Sequence, residues 1–149
     1  MKVRSSRMKP RELSPQECAA LLSKSKYGRL GLSMNDRPYV VPMSFVYFGG
    51  KLYLHSSGRG KKVEFATKNP HVCFQVDLLD KNRWSSVITY GTVRLSTEIE
   101  AKLRMFDMFI KTEMEGHGGK QFDRDAVDKM DMTIWEIEIK EMTGREGIW

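Results

Sequence analysis

Apolar and polar positions alternate along much of this chain, which is the signature of half-buried β-strands. Leu30, Leu32 and Met34 alternate with Arg29, Gly31 and Ser33, and Val72, Phe74 and Val76 repeat the pattern. A longer run carries Val87, Thr89, Gly91, Val93 and Leu95, and the last strand sets Trp135, Ile137 and Ile139 against Glu136, Glu138 and Lys140. Pro38 to Phe48 is rich in Val, Tyr and Phe and reads as a strand too. Pro42 has no N–H to give to a ladder, so that strand is an edge or is bulged there. Gly49-Gly50 forms a two-residue hairpin turn from which Lys51 to His55 returns antiparallel. Asn35-Asp36-Arg37 and Asp80 to Arg83 supply the other turns.

Helices interrupt this pattern. Ser14-Pro15-Gln16-Glu17 combines a cap, a proline at the first helical position and a glutamate three residues after the cap, and Cys18, Leu21 and Leu22 give the helix that follows an apolar stripe. A short helix from about Lys61 to Lys68 ends at Asn69-Pro70. The longest opens at Ser96-Thr97-Glu98, with Ile99, Leu103, Phe106, Ile110 and Met114 on one face, and breaks at Glu115 to Gly119. A brief helix falls near Asp123 to Met130. The fold class expected is mainly β (α+β): six antiparallel strands that curl into a barrel and so remove exposed edges, with flanking helices. At 149 residues, without repeats or linker signals, residues 1–149 read as one domain.

Composition narrows the function classes. Hydrophobic residues at 40% and charged residues at 30% describe a chain that folds. No apolar run approaches the roughly 18 residues of a membrane span, and no signal-peptide pattern opens the chain, so a cytoplasmic protein without a membrane partner is expected. The net charge of +6 is uneven: residues 1–75 hold 14 Lys and Arg against 4 Asp and Glu, residues 76–149 hold 11 against 15. Five of the early cations, Lys2, Arg4, Arg7, Lys9 and Arg11, fall in a loose basic arm over residues 1–11. No nucleic-acid-binding motif accompanies them, and no nucleic-acid partner is expected. Cys18 and Cys73 form neither a disulfide scaffold nor a metal-ligand pattern, and no metal site is expected.

The segment richest in chemistry runs from Tyr53 to Lys62. A strand end delivers His55, Ser56 and Ser57, Gly58 and Gly60 let backbone N–H groups approach an anion, and Arg59, Lys61 and Lys62 surround the positive end of a helix dipole. Hydroxyls, amides and cations in this order suit a phosphate monoester, and an ordinary solvated turn accounts for them equally well from composition alone. The spacing matches neither a Walker A loop nor GxGxxG. His71 and His117 lack partners, and Met105, Met108 and Met114 read as core. No nucleophile–base pair or paired carboxylates can be argued, so any redox chemistry belongs to a bound cofactor.

Asp36 to Tyr47, the Gly49-Gly50 turn, Leu52 to Ser56, Gly60-Lys61-Lys62 and Asn69 to Phe74 follow in the order and spacing of the FMN-binding split barrels, and the chain resembles that superfamily from about Arg11 to Arg145. Trp84 to Val87, Tyr90-Gly91 and Thr143-Gly144-Arg145 fit as well. The resemblance is to pyridoxamine 5'-phosphate oxidase-like proteins, and within them to the 5-nitroimidazole reductase branch. It implies a split barrel paired as a homodimer with flavin mononucleotide (FMN) at each interface. It places Val40, Val41, Pro42, Met43 and Ser44 beside the isoalloxazine ring, and His55, Ser56, Ser57, Lys61 and Lys62 at the ribityl phosphate. It brings Ser85, Ser86 and Val87 to the flavin from the partner subunit, and gives His55 a catalytic contact with substrate. The function implied is an FMN-dependent oxidoreductase acting on a small aromatic or nitro compound. A flavin-binding or haem-binding protein without turnover is the alternative, and a deazaflavin or haem can stand where FMN is implied.

Overall fold

The structure, a computed structural model, describes residues 9–113 and 123–149. Lys2, Arg4 and Arg7 of the basic arm, and Met114, His117 and the Glu115 to Gly119 break, lie outside the described residues.

Eight strands form one antiparallel sheet: β1 (Arg11–Glu12), β2 (Tyr27–Met34), β3 (Arg37–Ser44), β4 (Val46–Phe48), β5 (Lys51–Ser56), β6 (His71–Asp80), β7 (Arg83–Ser96) and β8 (Thr133–Ile148). Four helices accompany it: α1 (Pro15–Lys24), α2 (Lys61–Lys68), α3 (Ile99–Glu113) and α4 (Arg124–Asp128). The order across the sheet is β3-β2-β6-β7-β8-β5-β4, with β1 paired to β8. β3 and β4 are neighbours in sequence yet end the path on opposite sides, so the sheet curls until its two edges meet at Phe45 without pairing. That open seam is the split of the barrel.

Six strands were expected, and two features account for eight. The run from Pro38 to Phe48 breaks at Phe45, whose backbone N–H leaves the ladder to donate to the Lys26 carbonyl at 3.1 Å and whose ring packs edge-on against Phe74 at 4.9 Å. The other extra strand is β1. Arg11, assigned from sequence to a loose arm, is instead held there: it bonds Glu146 at 2.9 Å and Glu17 at 2.6 Å. That hydrogen bond, with the Ser14 backbone N–H, pulls the Glu17 carboxyl down to about 2.

Pro42 sits on an edge strand, as its missing N–H requires. Asn35 and Asp36, and then Gly49 and Gly50, all have positive φ, which matches the twist of two-residue hairpin turns. Ser14 caps α1 reciprocally with Glu17. The main core gathers Leu22, Leu30, Leu54, Phe74, Val76 and Trp135 inside the curl. A second cluster, Val46, Ala101, Met105 and Ile134, lies under α3. On α3 the deeply buried positions are Ala101, Lys102 and Met105, while Ile99, Leu103, Phe106 and Ile110 of the expected face are half-buried. β8 runs to Ile148 through an irregularity opposite Tyr90 and Gly91, where Lys140 is the extra residue.

Candidate functional site

The open seam sets β3 beside the loop that links β5 to α2. Alternation along β3 turns Val40, Pro42 and Ser44 outward, with Val40 66% exposed, while Met43 at 8% joins the core and Val41 packs against it. Five residues were assigned to the flavin border on β3, and the strand's period divides them into an outward and an inward set.

The loop is built from the inside. Trp135, wholly buried, donates its indole N–H to Ser56 Oγ at 2.9 Å, and Ser56 Oγ donates to the Ser57 carbonyl at 2.8 Å. Ser57 Oγ donates to the Arg59 carbonyl at 2.9 Å. Both hydroxyl protons are thus committed to shaping the loop, and the donors it presents outward are backbone amides and cations. Gly58 lies close to the Asp131 and Thr133 side chains, where an added Cβ would come within 3.2 and 3.4 Å. Gly60 has φ +123°, a conformation that only glycine adopts without strain, and as the cap of α2 it brings no side chain to the helix's first N–H groups.

Three cations border this uncapped helix start: Arg59, Lys61 and Lys62. Among the described residues none of them forms an ion pair. Lys61 Nζ lies 5.0 Å from the Tyr39 ring centroid, and the Tyr39 and Phe65 centroids are 5.3 Å apart, so the side chains of α2 meet those of β3. His55 is exposed on β5, opposite Ile134. The arrangement of uncapped amides, the positive end of a helix and unpaired cations fits the phosphate end of a flavin mononucleotide.

Ser85, Ser86 and Val87 stand on β7, separated from β3 by β2 and β6. Ser86 Oγ accepts from Gln75 at 3.2 Å, the Val87 side chain is wholly enclosed in its own core, and Ser85 and Ser86, half-buried, point to opposite faces of the strand. The outer face of the sheet carries an apolar groove of about 970 Å³ whose floor is a register row across five strands: Val40, Gly31, Cys73, Tyr90 and Glu141. A Cβ at Gly31 would strike Cys73 Sγ, and Tyr90 is 46% exposed.

A second polar cluster lies away from the seam. Glu136, 6% exposed, accepts from Arg94 at 2.7 Å and from Arg104 at 2.9 and 3.0 Å. Burial raises its carboxyl, but the two guanidinium partners outweigh that and hold it below its ordinary value. The buried Lys102 ammonium donates to the carbonyls of Asp128 at 3.2 Å and Met130 at 2.8 Å, tying α3 to α4. Sequence reading set Glu136 in alternation with Trp135 and Ile137 and did not single out Lys102 or Tyr39.

The pyridoxamine 5'-phosphate oxidase family model matches residues 14–146. The chain belongs to that family. Uncharacterized protein RA0666 of Rhizobium meliloti is 33% identical over 82 residues, so the chain covers about half (54%) of that relative's length, and 54% of this chain is matched. Among solved structures, a FAD-binding protein from Mesorhizobium loti is 30% identical with a TM-score of 0.75, over 94% of this chain and 99% of its own. A candidate 5-nitroimidazole antibiotic resistance protein from Bacteroides thetaiotaomicron is 25% identical with a TM-score of 0.80, over 93% and 88%. The split barrel expected from sequence is the fold these family members share. No helix among the described residues is long and apolar enough to cross a membrane.

Proposed function

We propose that the chain binds a flavin, FMN, and uses it as an oxidoreductase on a small aromatic or nitro compound. The observation that carries the reading is the uncapped start of α2, where Gly60 leaves the backbone amides open and Arg59, Lys61 and Lys62 have no carboxylate partner among the described residues. Lys61, Lys62 and the loop amides would hold the phosphate, with Ser56 and Ser57 keeping the loop in shape. Val40, Pro42 and Ser44 on the β3 edge would border the ring, and His55 would lie within reach of a substrate. When bound, the flavin supplies the electron transfer; the chain supplies position, a positive field and a partly dry surface.

The family match and the FAD-binding protein from Mesorhizobium loti support a flavin over other anions. An exposed apolar groove of this size supports a partner that covers it, and we propose a second copy of this chain, whose Ser85 and Ser86 would complete the flavin site. Sedimentation is then expected to give twice the chain's mass, and Tyr90→Glu to shift the protein toward monomer.

The test is the visible spectrum of freshly purified protein, with the cofactor released by heat and identified by mass. Oxidised-flavin bands with FMN released support the reading; FAD released keeps the flavin and revises the nucleotide; a colourless protein that fails to take up added FMN overturns it. Bound flavin that neither NADH nor NADPH reduces would favour the binding protein without turnover.

A further inference from the structure

We infer that Tyr39 is a positioning residue for the flavin phosphate, acting through Lys61; the inference rests on the reading of the α2 start as the phosphate site. A lysine at an exposed helix start is ordinarily a hydrated charge on a flexible stem. Here the ammonium lies 5.0 Å from the Tyr39 centroid and 6.0 Å from that of Phe65. The two rings meet at 43°, and Phe65 is 2% exposed, so the core fixes the platform on which the lysine rests.

A ring face carries negative potential and attracts a cation within about 6 Å. A carboxylate in the same place would fix the lysine too, but it would cancel the charge and repel a phosphate. The ring localises the ammonium and leaves both its charge and its N–H donors for an anion. Tyr39 also belongs to β3 and directly precedes Val40, so one residue links the loop's cation to the strand proposed to border the flavin ring. A lysine already localised loses less freedom on binding, which favours the phosphate-bearing flavin over one without phosphate.

The experiment is a set of fluorescence-quenching titrations with FMN and with riboflavin on the full chain. The variants are Tyr39→Phe, Tyr39→Leu and a chain with pentafluorophenylalanine at position 39, which keeps the ring's shape and inverts its face potential. Phe is expected to retain FMN affinity. Leu and the fluorinated ring are expected to weaken FMN about two- to fivefold and leave riboflavin unchanged. In a Lys61→Met background the same changes should have no further effect. Equal losses for FMN and riboflavin, a fluorinated ring indistinguishable from Phe, or additivity with Lys61→Met would overturn the role of Tyr39. If Tyr39→Leu misfolds, the matched pair of rings decides alone. A wild-type chain that prefers FMN, with variants that bind it alike whatever the ring's polarity, overturns this inference only; a wild-type chain that takes up neither flavin overturns the phosphate site with it.

Discussion

Cations gather in two regions of this barrel, and their partners differ. Under α3, Arg94 and Arg104 converge on the buried Glu136, and Lys102 is satisfied by two backbone carbonyls. At the seam, Arg59, Lys61 and Lys62 border open amides, and Lys61 meets aromatic rings and, among the described residues, no carboxylate. In the first region the chain completes its own electrostatics: Arg104 fastens α3 to the sheet, and Lys102 fastens it to the segment of α4. In the second, among the described residues, it leaves positive charge without a carboxylate partner, an arrangement that an anion would complete.

The largest effect that would test this contrast is on binding. Lys61→Met with Lys62→Met should weaken FMN about a hundredfold, near 3 kcal/mol, with riboflavin unchanged and the apo chain's denaturation midpoint shifted by less than about 0.5 kcal/mol. A large fall in stability would mean that the seam cations are structural after all. Glu136→Gln should do the reverse: chemical denaturation should lose about 2 kcal/mol, because charge-assisted bonds to two guanidinium groups are weakened, while FMN affinity stays as it was.

Smaller changes sharpen the division. Ser56→Ala leaves the buried Trp135 N–H without an acceptor and should cost about 1.5 kcal/mol in stability, with a looser loop visible as faster amide exchange at residues 57–60. Gly60→Ala forces φ +123° on a residue with a Cβ and should cost about 1 kcal/mol, read most clearly as weaker FMN binding. The smallest effect concerns acid. Glu136 titrates below its ordinary value of 4.5 when folded, so its contribution is full above that pH and is lost as the pH falls through the lowered folded value. Stability measured down the acid limb should fall less steeply in Glu136→Gln than in the wild type.

Local chemistry made much of the barrel legible in sequence. The missing N–H of Pro42 called for an edge strand or a bulge, and the strand is an edge; Gly49-Gly50 identified a hairpin, and the Ser14 and Glu17 spacing identified a capped helix. What escaped was set by long-range contacts. Nothing near Phe45 signals that its N–H will turn to Lys26, and Arg11 and Glu12 become a strand because β8 runs on past its alternating stretch. The half-buried face of α3 was chosen from apolar spacing, whereas Lys102 is buried because two carbonyls at and just beyond the end of α4 receive it. At the candidate site, the loop from His55 to Lys62 was legible as residue types in order. The inward turn of Met43 and Val87 could have been read from strand period, and the core positions both occupy bear this out. The pairing of Tyr39 with Lys61 joins residues 22 apart and had no local sign.

The central claim is that the start of α2 recognises a phosphate carried by a flavin. Its most direct test is the affinity of the wild-type chain for FMN against riboflavin, measured at low and at high salt. FMN is expected to bind at least about a hundredfold tighter, with the gap narrowing as salt screens Arg59, Lys61 and Lys62. Equal affinity for the two flavins at low salt would contradict it.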